Sequence, residues 1–107
     1  MKILNIKDMI GGWFVGDFEP SALRTKDFEV CYKFHPKGEE WPTHYHKIAT
    51  EINYLISGKM TIQGKTLQTG DIFILEPSEI ADPCFLEVCE LIVVKSPSVI
   101  GDKYETR

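Results

Sequence analysis

The chain has no apolar run approaching the ~18 residues that a membrane-spanning helix needs, so a membrane partner is not expected. It has no basic stripe: 12 Lys and Arg stand against 16 Asp and Glu, for a net charge of −4. Nucleic acid is therefore not expected as a partner either. Cysteine is scarce and odd in number. Cys31, Cys84 and Cys89 stand at no zinc-ribbon spacing, which points to a reducing cytoplasm rather than a disulfide framework. Met1–Asp8 carries lysine but no apolar core or small-residue cleavage site, so it does not read as a signal peptide. There is no Gly-rich phosphate loop, no G-x-S-x-G elbow and no C-x-x-C pair. Chemistry that depends on those motifs is left without its residues. Internal repeats, low-complexity segments and linkers are missing as well. Residues 1–107 read as one domain, long enough to bury a core without staples.

Helical periodicity is weak, and what is present alternates. In Phe28–His35, Phe28, Val30, Tyr32 and Phe34 share one face, while Glu29, Cys31, Lys33 and His35 share the other. Further strands are expected at Trp13–Phe18, Thr43–Lys47, Glu51–Ser57, Lys59–Gln63, Lys65–Thr69, Asp71–Leu75, Phe85–Glu87 and Cys89–Lys95. Their separators, Ser57-Gly58, Gln63-Gly64, Thr69-Gly70 and Pro77-Ser78, are turn chemistry. Asn5–Ile10 reads as a turn or part of a strand, and Ser21–Arg24 as one short helical turn. Short strands at such spacing imply an all-β, antiparallel double-sheet fold, a jelly-roll β-barrel. Ile72–Leu75 and Leu91–Val94 are apolar on both faces. Something must cover their outer side: the N-terminal segment, the Ser96–Arg107 tail or a second copy. A homodimer is the expectation.

Histidine is scarce, with three in the chain, yet two fall in one run that also carries chemistry. Residues Gly38 to Gly58 read G-x5-H-x-H-x4-E-x6-G, with His44, His46 and Glu51 at the fixed positions. Histidines two apart on a strand point to the same face, and a turn over Lys47–Thr50 can bring Glu51 to the same ion. Two imidazoles and one carboxylate leave coordination positions open, which suits Fe, Mn, Ni or Zn. The plainer reading makes His44 and His46 partly exposed strand residues and Glu51 a solvated charge. Asn53 and Ser57 share the strand parity of Glu51 and are expected in the pocket. Trp41 is expected at its mouth. His35, on the polar face of its strand, reads as an exposed or rim residue. Tyr45 points away from the histidines by parity.

The run resembles the first conserved motif of the cupin superfamily. That family's second motif, G-x5-P-x-G-x2-H-x3-N, is similar in part to the segment from Gly70: Gly70-Asp71, the apolar strand and Pro77 match in kind. The second Gly is Ser78, and the His that ends the ligand set is replaced. Its place falls on Ala81 counted from Gly70, or on Asp82 counted from Pro77. The resemblance implies a single cupin-like jelly roll with metal ligands His44, His46 and Glu51, and with Asp82 as a candidate substitute ligand or acid/base. It also implies a function. The chain is expected to act on or bind a small polar metabolite, a sugar or a carboxylic acid, on a divalent ion. The alternative is a non-catalytic binding or regulatory module with a degenerate metal site. The family hosts both, so fold alone leaves catalysis open.

Overall fold

The computed structural model describes residues 1–106, which form eleven strands and one 3-10 turn over Ile6–Asp8. The strands are β1 (Trp13–Gly16), β2 (Leu23–Arg24), β3 (Glu29–His35), β4 (His44–Tyr45), β5 (Thr50–Ser57), β6 (Lys59–Ile62), β7 (Lys65–Gln68), β8 (Ile72–Leu75), β9 (Cys84–Phe85), β10 (Cys89–Ser96) and β11 (Tyr104–Glu105). Six of them make one sheet in the order β2-β1-β3-β10-β5-β8. A three-stranded sheet, β7-β6-β9, and the pair β11-β4 complete the jelly roll. These sheets remain separate in their hydrogen bonding, so the fold is an open double sheet rather than a closed barrel. One local expectation fails: Leu23–Arg24 is not a helical turn but a short strand, parallel to β1 through Val15↔Leu23 and Gly16↔Arg24.

The apolar core lies between the sheets. Leu55, Met60, Cys31 and Cys89 are fully buried, and Ile62, Leu75, Phe85, Leu91 and Val93 pack around them. Burial pushes the Cys31 thiol up to about 11, which keeps it a protonated apolar residue.

Strand β3 inverts the ordinary rule. Its apolar side faces out, leaving Phe34 57% exposed, while Glu29, Cys31 and His35 are buried. The expectation of an exposed or rim His35 is therefore corrected. Polar groups can face inward because each has a partner. Glu29 accepts from Lys95 Nζ at 3.2 Å and from Ser98 Oγ at 2.7 Å. His35 Nδ1 lies 3.0 Å from Glu39 Oε1, and its ring stacks on Phe85 with centroids 4.0 Å apart. Lys33 Nζ donates to the Gly11 carbonyl at 2.7 Å.

On the outer face two apolar rungs cross four strands. Register aligns Tyr32, Ile92, Tyr54 and Ile72 in one, and Val30, Val94, Ile52 and Ile74 in the other. Ile52, Tyr54, Ile72 and Ile74 are exposed. Neither terminal segment covers them. The N-terminal Ile3, Leu4 and Ile10 are themselves exposed, and the C-terminal tail runs elsewhere, as described below.

The two glycines that bracket the histidine run differ in what they tolerate. Gly58, at φ +112°, sits so close to the start of β10 that an added Cβ would lie 2.4 Å from Val88 O and 2.9 Å from Cys89 Cα. Gly38, at φ +81°, has nothing within 4 Å of such a Cβ. Gly58→Ala should destabilise the protein by about 3 kcal/mol or more, because backbone must move as well as adopt a disfavoured conformation. Gly38→Ala should cost only about 1 kcal/mol, the conformational part alone. Urea unfolding of the two variants checks the difference; equal costs would refute it.

Candidate functional site

His44 and His46 are both buried, on and just after the short strand β4. Strand parity turns both rings inward, with centroids 5.4 Å apart and planes nearly perpendicular. Tyr45 between them turns outward and stacks on Tyr104. His44 Nδ1 lies 3.1 Å from the Pro42 carbonyl, which can only accept. Nδ1 therefore donates to it, which leaves Nε2 as the nitrogen free to ligate. Burial, reinforced by the positive charge of Lys95, holds the His46 pKa below its ordinary value against the pull of Glu51, so this imidazole stays neutral. Across β4, the backbones of His44 and Ala81 exchange hydrogen bonds of 3.1 and 2.7 Å.

The turn from His46 to Glu51 is held from a distance. Asp102, in the tail, is 3% exposed. Its carboxylate accepts from the amides of Lys47 (2.9 Å), Ile48 (3.1 Å) and Ala49 (2.9 Å). Burial raises the Asp102 pKa, but those amides and the nearby His46 outweigh it, and the net shift is downward. The tail thus crosses the open end of the jelly roll instead of its outer face. Tyr104↔Tyr45 and Glu105↔His44 pairing in the β11-β4 sheet fixes its end.

Together these elements enclose a cavity of about 500 Å³. His44, His46, Glu51 and Asn53 line it, with Trp41 and His35 on its wall. Asn53 Nδ2 donates to Glu51 Oε2 at 3.1 Å. Two other expected pocket residues lie elsewhere. Asp82 is exposed and accepts the Gln63 amide at 2.7 Å, closing a turn. Ser57 is turned to Glu90, to which its Oγ donates at 3.2 Å. Ala81, buried and on the cavity wall beside His44, stands where Asp82 was the alternative. The sequence reading also missed Asp102, Glu29, Lys33, Lys95 and Lys103, all of which line the cavity. The alternation of β3 places Glu29, Lys33 and His35 on one face. Nothing in the sequence said that this face was the inner one.

No protein-family model matches the chain, and no curated protein matches it either. Solved structures do. An uncharacterised conserved protein with a double-stranded β-helix domain from Klebsiella pneumoniae is 21% identical, with a TM-score of 0.72 over 98% of this chain and 91% of that one. An RmlC-like cupin from Shewanella frigidimarina is 22% identical, with a TM-score of 0.63 over 71% of each chain. The fold is that of a cupin. The DMSP lyase DddQ from Ruegeria pomeroyi shares it at 16% identity and a TM-score of 0.72; 86% of this chain covers 48% of the lyase, so the chain spans about half that enzyme's length.

Metal binding is implied by the cupin resemblance, and the donor set can be tested against it. Two imidazoles and a carboxylate facing one cavity are the donor types that borderline divalent ions take. In this cupin fold, however, no group of three His, Cys, Asp or Glu side chains among the described residues is gathered closely enough to hold an ion. The donor chemistry fits such an ion.

Asp102→Ala should cost about 3 kcal/mol, because it strips three amides of a charged acceptor. It should also speed hydrogen exchange at Lys47, Ile48 and Ala49. The pH dependence follows from the downward shift. The Asp102 contribution is complete above the ordinary aspartate value of about 3.9 and is lost as pH falls through its lower folded-state value. Comparing acid unfolding of the wild type and the variant tests this; parallel curves would count against the clamp.

Proposed function

We propose that this cupin-fold protein binds a small polar metabolite at a divalent ion held by His44, His46 and Glu51. The observation that carries the reading is that these three side chains, 44, 46 and 51 in the chain, line one cavity of about 500 Å³, a volume suited to a metabolite rather than a polymer. A bound ion would supply Lewis-acid polarisation of an oxygen ligand or activation of a bound water. The chain's own residues do the remainder. His44 is oriented by Pro42, His46 is kept neutral by burial, and Asn53 positions the Glu51 carboxylate. The apolar wall of Phe73, Leu75 and Val93 excludes bulk water from one side.

The test is elemental analysis of protein purified without chelator, together with His44→Ala, His46→Ala and Glu51→Ala. Wild type should carry close to one ion per chain. Each variant should retain about a tenth of that or less, with an unchanged far-UV spectrum. Metal-free wild type whose ligand binding survives all three substitutions would overturn the reading.

A second reading, binding without catalysis, is favoured by one observation: the position beside His44 carries the methyl group of Ala81, which can neither ligate nor move a proton. Under that reading the protein recognises its metabolite but releases it unchanged. Product analysis of the metal-loaded protein with a bound metabolite separates the two.

The partner of the outer face is a second copy of this chain. The eight-residue apolar surface over β3, β10, β5 and β8 includes the sheet edge β8 and is compositionally self-complementary. A two-fold axis through it would stack like rungs on like and cover both copies at once. Tyr54→Glu combined with Ile72→Glu should convert a dimer into a monomer by light scattering at micromolar concentration. A 12.2 kDa wild-type species under those conditions would refute it.

A further inference from the structure

Three lysines share the cavity wall with the imidazoles: Lys33, Lys95 and Lys103. Their surroundings are not equivalent. Lys95 is paired with Glu29 at 3.2 Å and lies 5.0 Å from the centroid of the Trp13 ring. Lys33 and Lys103 both stand over the Trp41 ring, 5.5 and 4.7 Å from its centroid. Among the described residues, neither has a carboxylate oxygen within 4.0 Å. Lys33 has only the Gly11 carbonyl.

The carboxylates of the cavity are already engaged. Glu29 holds Lys95 and Ser98, Glu51 holds Asn53, and Asp102 holds three backbone amides. Two ammonium groups are thus brought to one aromatic ring without a carboxylate in direct contact; Glu105 and Glu51 act on Lys103, and Glu39 on Lys33, only from farther away. Two like charges so placed repel each other, and an anion would relieve that repulsion. Burial, with the charges of Lys33 and Lys95, lowers the Lys103 pKa against the pull of Glu105 and Glu51. Trp41 is fixed at this place because its Nε1 donates to Glu39, which also holds His35.

We infer that the ligand is a small carboxylate, its anionic group received between Lys33 and Lys103 over Trp41 and its other oxygen functions directed to His44 and His46. This rests on the small-ligand reading above and narrows it from sugars or acids to acids. Neutral sugars lack the group that would neutralise the lysine pair. An ammonium on either side of a carboxylate can donate to each of its oxygens, and such charge-assisted bonds discriminate strongly against an uncharged analogue.

The experiment compares matched pairs by isothermal titration and thermal shift at constant ionic strength: gluconate against glucitol, and tartrate against threitol, with inorganic phosphate as a separate arm. Wild type should bind at least one of the two carboxylates, and its polyol counterpart roughly tenfold or more weakly. Lys33→Met and Lys103→Met should each remove about tenfold of that affinity while leaving bound metal unchanged. His44→Ala should lose the metal and weaken both members of a pair. Polyols binding as well as carboxylates, with the lysine variants unaffected, would overturn this inference and leave the small-ligand reading standing. Phosphate binding in the absence of carboxylate binding would overturn the carboxylate assignment. Failure of every probe to bind or stabilise would count against both readings.

Discussion

The site depends on a single carboxylate that belongs to no motif. Asp102 gathers the amides of Lys47, Ile48 and Ala49, and so sets the turn that separates His46 from Glu51. Three consecutive amides pointing to one side are not satisfied by any sheet, and water cannot easily reach Ala49, which is 2% exposed. Asp102 supplies the acceptor and, by doing so, ties the tail across the open end of the jelly roll. The strap then becomes part of the cavity wall through Val99, Ile100 and Lys103. One interaction thereby shapes the ligand-bearing turn and encloses the space in front of it.

The interior of the fold is divided between two environments. Around Leu55, Met60 and Phe85 it is an ordinary close-packed core. Toward the strap it becomes a chamber whose wall carries polar side chains, among them Glu29 paired with Lys95 and His35 stacked on Phe85. The polar side of β3 faces this chamber, which leaves Val30, Tyr32 and Phe34 on the outside. A sheet with a filled core would have the opposite arrangement. On β3 the apolar outer face and the polar inner wall are thus two consequences of one strand parity.

The loss of the second-motif histidine acquires a location in this picture. Ala81 pairs with His44 through the backbone and presents only a methyl group to the cavity, while Asp82 turns away to close the Gln63 turn. The space left beside His44 is available to a ligand. The lysines around Trp41 lie on the same wall system, so the chamber pairs soft nitrogen donors with ammonium groups. Few neutral molecules would use both.

Much was legible in the sequence because it is local. Alternation and turn residues sufficed for the long strands β3, β5 and β10, for the break between β5 and β6 at Gly58, for the β6-β7 hairpin at Gly64, and for the jelly-roll class, since period-two patterns and positive-φ turns are properties of neighbouring residues. The inward aim of both His44 and His46 follows from the same period. What the sequence could not carry was long-range. Parity says that Glu29, Lys33 and His35 share a face, but which face is inside depends on distant partners: Lys95 for Glu29 and Phe85 for His35. Ser57 has the parity of Glu51, yet the register shift between Glu90 and Leu91 in the β10-β5 pairing takes it to Glu90 instead. Asp102 stands more than fifty residues from the turn that it holds. Local sequence determined the strands and the spacing of the imidazoles; only tertiary pairing decided which charges face the cavity, because a buried charge is tolerated only where a distant segment supplies its partner.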